Sequence, residues 1–192
     1  NKLTQKENQS YQKWFDAHKA TPEQLAEQRK TVFAYQPKFS IAVPLFRTPE
    51  KYLKEMIQSV IDQSYGNWEL CLADGGGKEN SVQAIVEEFS AKDSRVRYKL
   101  LEENFGIAGN TNAALEMAQG DFLALLDHDD ILAPDALFEC VKLLNEDPET
   151  DIIYTDEDKV DMEGKSHFDP HFKPDFNLDL LHTQNYICHF FV

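Results

Sequence analysis

At 192 residues, 42% of them apolar, the chain can bury the core of one α/β domain and carry an appendage. Nineteen basic residues against 34 acidic ones give a net charge of −15, which argues against non-specific binding to nucleic acid or anionic lipid. A phosphate-bearing ligand therefore needs a metal ion or local backbone donors.

Residues 1–36 are polar, with two weak helical signals. Tyr11, Trp14 and Phe15 share one helical face, and Thr21-Pro22-Glu23-Gln24 reads as a capped helix start. Such thin apolar faces make no core alone, so this region is expected to be a helical arm that packs on the following domain or a partner. The boundary is placed near Gln36-Pro37, with residues 37–192 as the main domain. Asn1 to Ser10 lacks a signal-peptide run, and no stretch approaches ~18 consecutive apolar residues. The expected location is cytoplasmic, with peripheral attachment at the inner face of the plasma membrane left open through segments outside this sequence. Cys71, Cys140 and Cys188 follow no C-x-x-C spacing, and no disulfide framework is expected.

From Phe39 short apolar runs alternate with amphipathic helices, the signature of an α/β domain with a mainly parallel sheet flanked by helices. Strands are expected at Phe39–Leu45, Trp68–Ala73, Val96–Leu101, Phe122–Leu126 and Ile152–Thr155. The intervening helices begin near Thr48, Ser81, Ala108 and Ala133. The first buries Leu53, Met56, Ile57, Val60 and Ile61 at helical spacing. A hairpin is expected around Met162-Glu163-Gly164.

In open α/β sheets ligands bind beyond the carboxyl ends of the strands. The residues there are 44–48, 74–77, 102–106, 127–130 and 156–158, and acids dominate them. Asp127-His128-Asp129-Asp130 offers alternate carboxylates that can reach one hard cation and a nearby hydroxyl. Mg²⁺ or Mn²⁺ is often held by one or two such carboxylates together with substrate phosphates. An isolated D-x-D is more often a solvated turn, but its position straight after a buried strand favours a cation site.

With these motifs in order, residues 39–192 resemble the nucleotide-binding half of the family 2 glycosyltransferases, which have the GT-A (Rossmann-like) fold. The resemblance rests on the Phe39–Leu45 strand, the Asp74-Gly75-Gly76-Gly77-Lys78-Glu79-Asn80-Ser81 turn, Asn104-Phe105-Gly106-Ile107-Ala108-Gly109-Asn110, and Gly120-Asp121 leading to Asp127-His128-Asp129-Asp130. Tyr154–Lys159, Lys173-Pro174-Asp175 and Gln184-Asn185-Tyr186-Ile187 further resemble a bacterial branch that builds surface polysaccharides.

The resemblance implies a metal-dependent, inverting transfer of a sugar from a UDP- or dTDP-linked donor to a saccharide or lipid-linked saccharide. Pro44 and Phe46 would line the base and ribose pocket, and Asp74 would bond the nucleobase. Asn104, Gly106 and Asn110 would close the donor pocket, while Asp127 and His128 would contact the donor. Asp127 and Asp129 would hold Mn²⁺ or Mg²⁺. Gly75 stands where the family often has a second acid, and no arginine occurs near Asn110. Asn112 is a candidate to bond a strand-end carbonyl.

The family's catalytic base usually lies well downstream of the D-x-D and is expected beyond Val192; Asp156, Glu157 and Asp158 are weak candidates within the sequence. His189 is a further residue of interest, a structural role being favoured. A D-x-D-x-T phosphatase fails on Ile131, and an EF-hand loop fails on Leu132, where glycine is required. A nucleotidyltransferase lacks its glycine-rich loop, since Pro44-Leu45-Phe46-Arg47 stands there. The alternative from another class is a non-catalytic, glycosyltransferase-like module that binds a nucleotide or a partner.

Overall fold

The polar amino-terminal stretch forms two helices, α1 (Lys2–His18) and α2 (Pro22–Gln28), in a computed structural model that describes residues 2–77 and 81–192. Lys78, Glu79 and Asn80 of the glycine turn lie outside the described residues, as does Asn1. Contacts divide the chain into two units, one made of the residues up to Thr21 with Ile152–Phe191, the other of Pro22–Asp151 with Val192. The sequence reading divides it instead at 36/37. Residues 22–36 are fastened to the second unit: Tyr35 N–H donates to Asn145 Oδ1 and Tyr35 O accepts from Asn145 Nδ2, both at 2.9 Å. Ser64 Oγ also donates to Gln28 Oε1 at 2.7 Å.

In that unit β1 (Phe39–Leu45), β2 (Trp68–Asp74), β3 (Val96–Leu100) and β4 (Phe122–Leu125) form a wholly parallel sheet in the order β3-β2-β1-β4. β1 and β2 are central and nearly continuously buried, which is why their sequences are apolar runs rather than alternating patterns. β4 is an outer strand: Ala124 is buried but Leu123 is 46% exposed, so the expected compact buried strand is covered only in part. The crossovers are α3 (Glu50–Ile61), α4 (Val82–Ser90) and α5 (Gly106–Leu115), and α6 (Ala136–Glu146) follows β4. α3 buries Leu53, Met56, Ile57 and Val60, and α6 buries Leu137, Cys140, Val141 and Leu144. α5 begins two residues before the expected Ala108.

The amino edge of the sheet is built around Glu69, 3% exposed. It accepts from Ser40 Oγ at 2.7 Å, Lys38 Nζ at 2.9 Å, Arg97 Nη1 at 2.8 Å and Gln119 N at 2.5 Å. Burial works against its ionisation, yet these four donors bring its pKa down to about 2. Gly120 closes the same edge, since a Cβ there would lie 2.5 Å from Lys38 O and 2.8 Å from Ser40 N.

In the other unit β5 (Glu157–Val160) and β6 (His167–His171) form an antiparallel hairpin, with Gly164 at φ +69 in the turn, and α7 (Leu178–Thr183) follows. The strand expected at Ile152–Thr155 does not form. Ile152 is 58% exposed and Tyr154 makes only an isolated bridge with Phe191. α1 packs on this hairpin: Tyr11 OH donates to Asp158 Oδ2 at 2.7 Å, and the Phe15 ring stacks on His167 with centroids 3.6 Å apart. Among the described residues no helix is long and apolar enough to cross a membrane.

Candidate functional site

Strands β2 and β3 lie to one side of β1 and β4 lies on the other, so the strand order reverses between β1 and β4. The crevice beyond the carboxyl ends of strands at such a switch point is where open parallel sheets bind ligands. Backbone pairing carries the chain directly to it. Leu126 N–H donates to Ala42 O at 3.2 Å, extending the β1–β4 register by one residue, and Asp127 is the next residue.

Asp127 and His128 are half-buried and Asp129 is exposed, in a turn where Asp130 N–H donates to Asp127 O at 3.3 Å. His128 Nδ1 is buried without a hydrogen-bond partner. The exit of this turn is anchored from α3 and the residues just after it. Leu132 N–H donates to Ser59 Oγ at 3.1 Å, Gln63 Nε2 donates to Ala133 O at 2.7 Å, and Gln63 Oε1 accepts from Leu137 N at 3.0 Å. The sequence reading missed Ser59 and Gln63. Their signal is a polar residue among the apolar positions of α3 and a buried glutamine just past its end.

Asp74 ends β2, wholly buried, opposite Leu45 in the register. Its Oδ1 accepts from Gly76 N at 2.7 Å and its Oδ2 from Tyr98 OH at 2.8 Å. Burial, and then this bond, push the Tyr98 hydroxyl pKa up, so it stays a donor across the neutral range. Tyr98 is a third residue the sequence reading did not identify.

Gly75 follows Asp74 because nothing larger fits. A Cβ at this position would come within 2.7 Å of Asn110 Nδ2 and 3.0 Å of Asn104 Cα. The Asn104–Asn110 loop thus packs directly on the turn after β2. Asn104 Oδ1 accepts from Gly106 N and from Asn110 Nδ2, both at 3.0 Å. Asn110 is 2% exposed; it also accepts from Phe105 N at 3.1 Å and makes a long 3.4 Å contact to Leu45 O. The strand-end carbonyl contact considered for Asn112 is therefore made by Asn110. Pro44 is half-buried within β1, and Phe46 stands exposed just beyond it.

Within the other unit, the three weak base candidates all have partners. Asp156 Oδ1 accepts from Lys173 N at 2.7 Å. Glu157 accepts from Lys173 Nζ, His189 N and His171 Nδ1, each at 3.1 Å. Burial disfavours its ionisation, but these groups hold its pKa below the usual glutamate value. Asp158 Oδ2 accepts from Tyr11 OH and lies 2.9 Å from His167 Nδ1. Lys173 Nζ also donates to the carbonyls of Ile187 and His189 at 2.5 Å, so the backbone of His189 is held at both its N–H and its C=O.

Comparison with known proteins bears on the family and the fold. The glycosyl transferase family 2 model matches residues 40–192. A protein of Sinorhizobium fredii without an assigned activity is 47% identical over 153 residues, which are 80% of this chain and 17% of that protein. The O-antigen biosynthesis protein RfbC of Myxococcus xanthus is 31% identical over 182 residues, 95% of this chain and 14% of that one. The chain thus spans less than a fifth of the length of these relatives. Among solved structures, S. aureus TarS 1-349 in complex with UDP superposes with a TM-score of 0.56 at 28% identity, covering 61% of this chain and 34% of that one. The parallel sheet with flanking helices is the GT-A fold.

Proposed function

The chain belongs to glycosyl transferase family 2, and on that premise we propose that it forms the donor-binding part of a metal-dependent, inverting glycosyltransferase. It takes a UDP- or dTDP-linked sugar and serves transfer to a saccharide or lipid-linked saccharide in surface polysaccharide synthesis. The observation that carries this reading is the delivery of Asp127, His128 and Asp129 by β4 to the β1/β4 switch point, with the buried Asp74 at the end of β2 on the other side of β1. The O-antigen and UDP associations of the relatives named above support the choice of acceptor class and nucleotide.

A divalent ion fits the donor set. Asp127 and Asp129 supply hard carboxylate oxygens at an accessible turn, and a protein with a net charge of −15 needs a cation to admit a diphosphate. Those two side chains would hold Mn²⁺ or Mg²⁺, which when bound offsets charge on the nucleoside diphosphate. The protein's own part is to orient the donor. Asp74, oriented by Gly76 N–H and Tyr98 OH, would accept from an imide N–H, and the exposed Phe46 would offer its ring to the donor.

Calorimetry with UDP and dTDP tests the site. Binding is expected with Mn²⁺ and is expected to be lost both in chelator and in Asp129→Ala; equal affinity in all three conditions removes the metal site from the proposal. Release of nucleoside diphosphate from a donor panel by the intact parent protein tests transfer itself, and its absence with every donor favours a binding module.

A further inference from the structure

The donor reading leaves the charge and the conformation of Arg47 unexplained. Arg47 follows β1 with φ +52, in the left-handed region that residues other than Gly, Asn and Asp rarely adopt. Its guanidinium carbon lies over the exposed Phe46 ring, 5.1 Å from the centroid. Beside it, Thr48 Oγ1 is buried with no hydrogen-bond partner in a residue only 4% exposed. A non-glycine residue held in a costly backbone conformation, next to an unsatisfied buried hydroxyl, points to a loop shaped for a ligand.

The charge argues in the same direction. Among the described residues of the loops at the carboxyl edge of the sheet, Arg47 is the one Lys or Arg, against Asp74, Glu102, Glu103, Asp127, Asp129 and Asp130. It forms no ion pair among the described residues, although the chain carries 34 acids. Stacking on a ring fixes the plane of a guanidinium and leaves its N–H edges directed outward. That is the arrangement which takes two oxygens of an anion at once.

We propose that Arg47 is a specificity-determining residue that pairs with an anionic group of the sugar nucleotide, either a phosphate or a carboxylate on the sugar. This rests on the donor reading above. The pairing is independent of the carboxylates of the D-x-D and gives an acidic crevice one fixed positive contact. It selects donors that place an anion beside β1.

The test is calorimetry in Mn²⁺ with uridine, UDP, UDP-glucose and UDP-glucuronate, and with the thymidine counterparts, on the wild type, Arg47→Asn and Arg47→Lys. Asparagine tolerates the left-handed conformation, so Arg47→Asn is expected to melt with the wild type. If the anion is a phosphate, Arg47→Asn weakens the diphosphate and both sugar nucleotides about tenfold and leaves the nucleoside unchanged. If it is a sugar carboxylate, only the glucuronate loses about tenfold. Lysine restores part of either loss, because it lacks the planar fork. Equal affinity of Arg47→Asn and wild type for every ligand overturns the Arg47 assignment and leaves the donor reading standing. A wild-type protein that binds none of them overturns both.

Discussion

The two edges of the parallel sheet handle acidic residues in opposite ways. At the amino edge Glu69 is buried and meets four donors from within the fold, two of them cations. At the carboxyl edge Asp127, His128 and Asp129 reach solvent at a turn, and His128 Nδ1 lacks a partner. Glu69, whose bonds are completed within the fold, stabilises it, whereas Asp129, exposed in the turn after β4, is accessible to a ligand. The carboxyl ends of the parallel strands, and not their amino ends, are therefore where a ligand is expected.

The most disruptive way to probe the comparison is Glu69→Ala, which strands Lys38 and Arg97 and is expected to cost about 3 kcal/mol in urea unfolding. Nucleotide affinity of the folded protein is expected to stay within about twofold, and a larger change would join the two edges functionally. The same residue sets an acid limit. Its folded pKa of about 2 lies below the ordinary glutamate value, so its contribution is complete at neutral pH and drains away as pH falls from about 4 towards 2. Glu69→Gln is expected to flatten that part of the stability profile.

Asp129→Ala is the converse substitution. It is expected to weaken UDP or dTDP binding in Mn²⁺ by about 100-fold with the melting temperature unchanged, and a fall in melting temperature would make Asp129 a structural acid. Gly75→Ala sharpens the contrast within the carboxyl edge, because its Cβ meets Asn110 and Asn104. A loss of about 2 kcal/mol in thermal unfolding is expected, together with weaker nucleotide binding. Tyr98→Phe, the mildest, removes one donor from buried Asp74 and is expected to cost about 1 kcal/mol by denaturant titration. No change in that titration would mean Asp74 is served otherwise.

Periodicity carried much of the fold. The central strands and α3 and α4 are long or strongly patterned, so the sequence places them within a residue or two, whereas α6 begins three residues after the expected Ala133. The reading failed where a short apolar run stood alone. Ile152–Thr155 resembles a strand, but four residues do not specify pairing, and the chain pairs instead at Glu157–Val160, whose partner His167–His171 lies across the Gly164 turn. At the candidate site the acids were legible because they end strands. Their supports were not: Tyr98, Ser59 and Gln63 act across gaps of 24, 73 and 70 residues or more, and no local pattern encodes such contacts. Gly75 reads in sequence as a missing acid, and only packing against Asn104 and Asn110 explains it.

The docking of α1 on the β5–β6 hairpin also sets an order of events during synthesis. Tyr11 and its acceptor Asp158 are 147 residues apart, and the stacking partner of Phe15, His167, comes later still. At roughly 5–20 residues per second, the ribosome leaves the Tyr11, Trp14 and Phe15 face waiting for roughly 7–30 s before its surface exists. α1 is thus made well before the surface that seats it, and Trp14, beside Phe172, is a built-in fluorescent reporter of that docking.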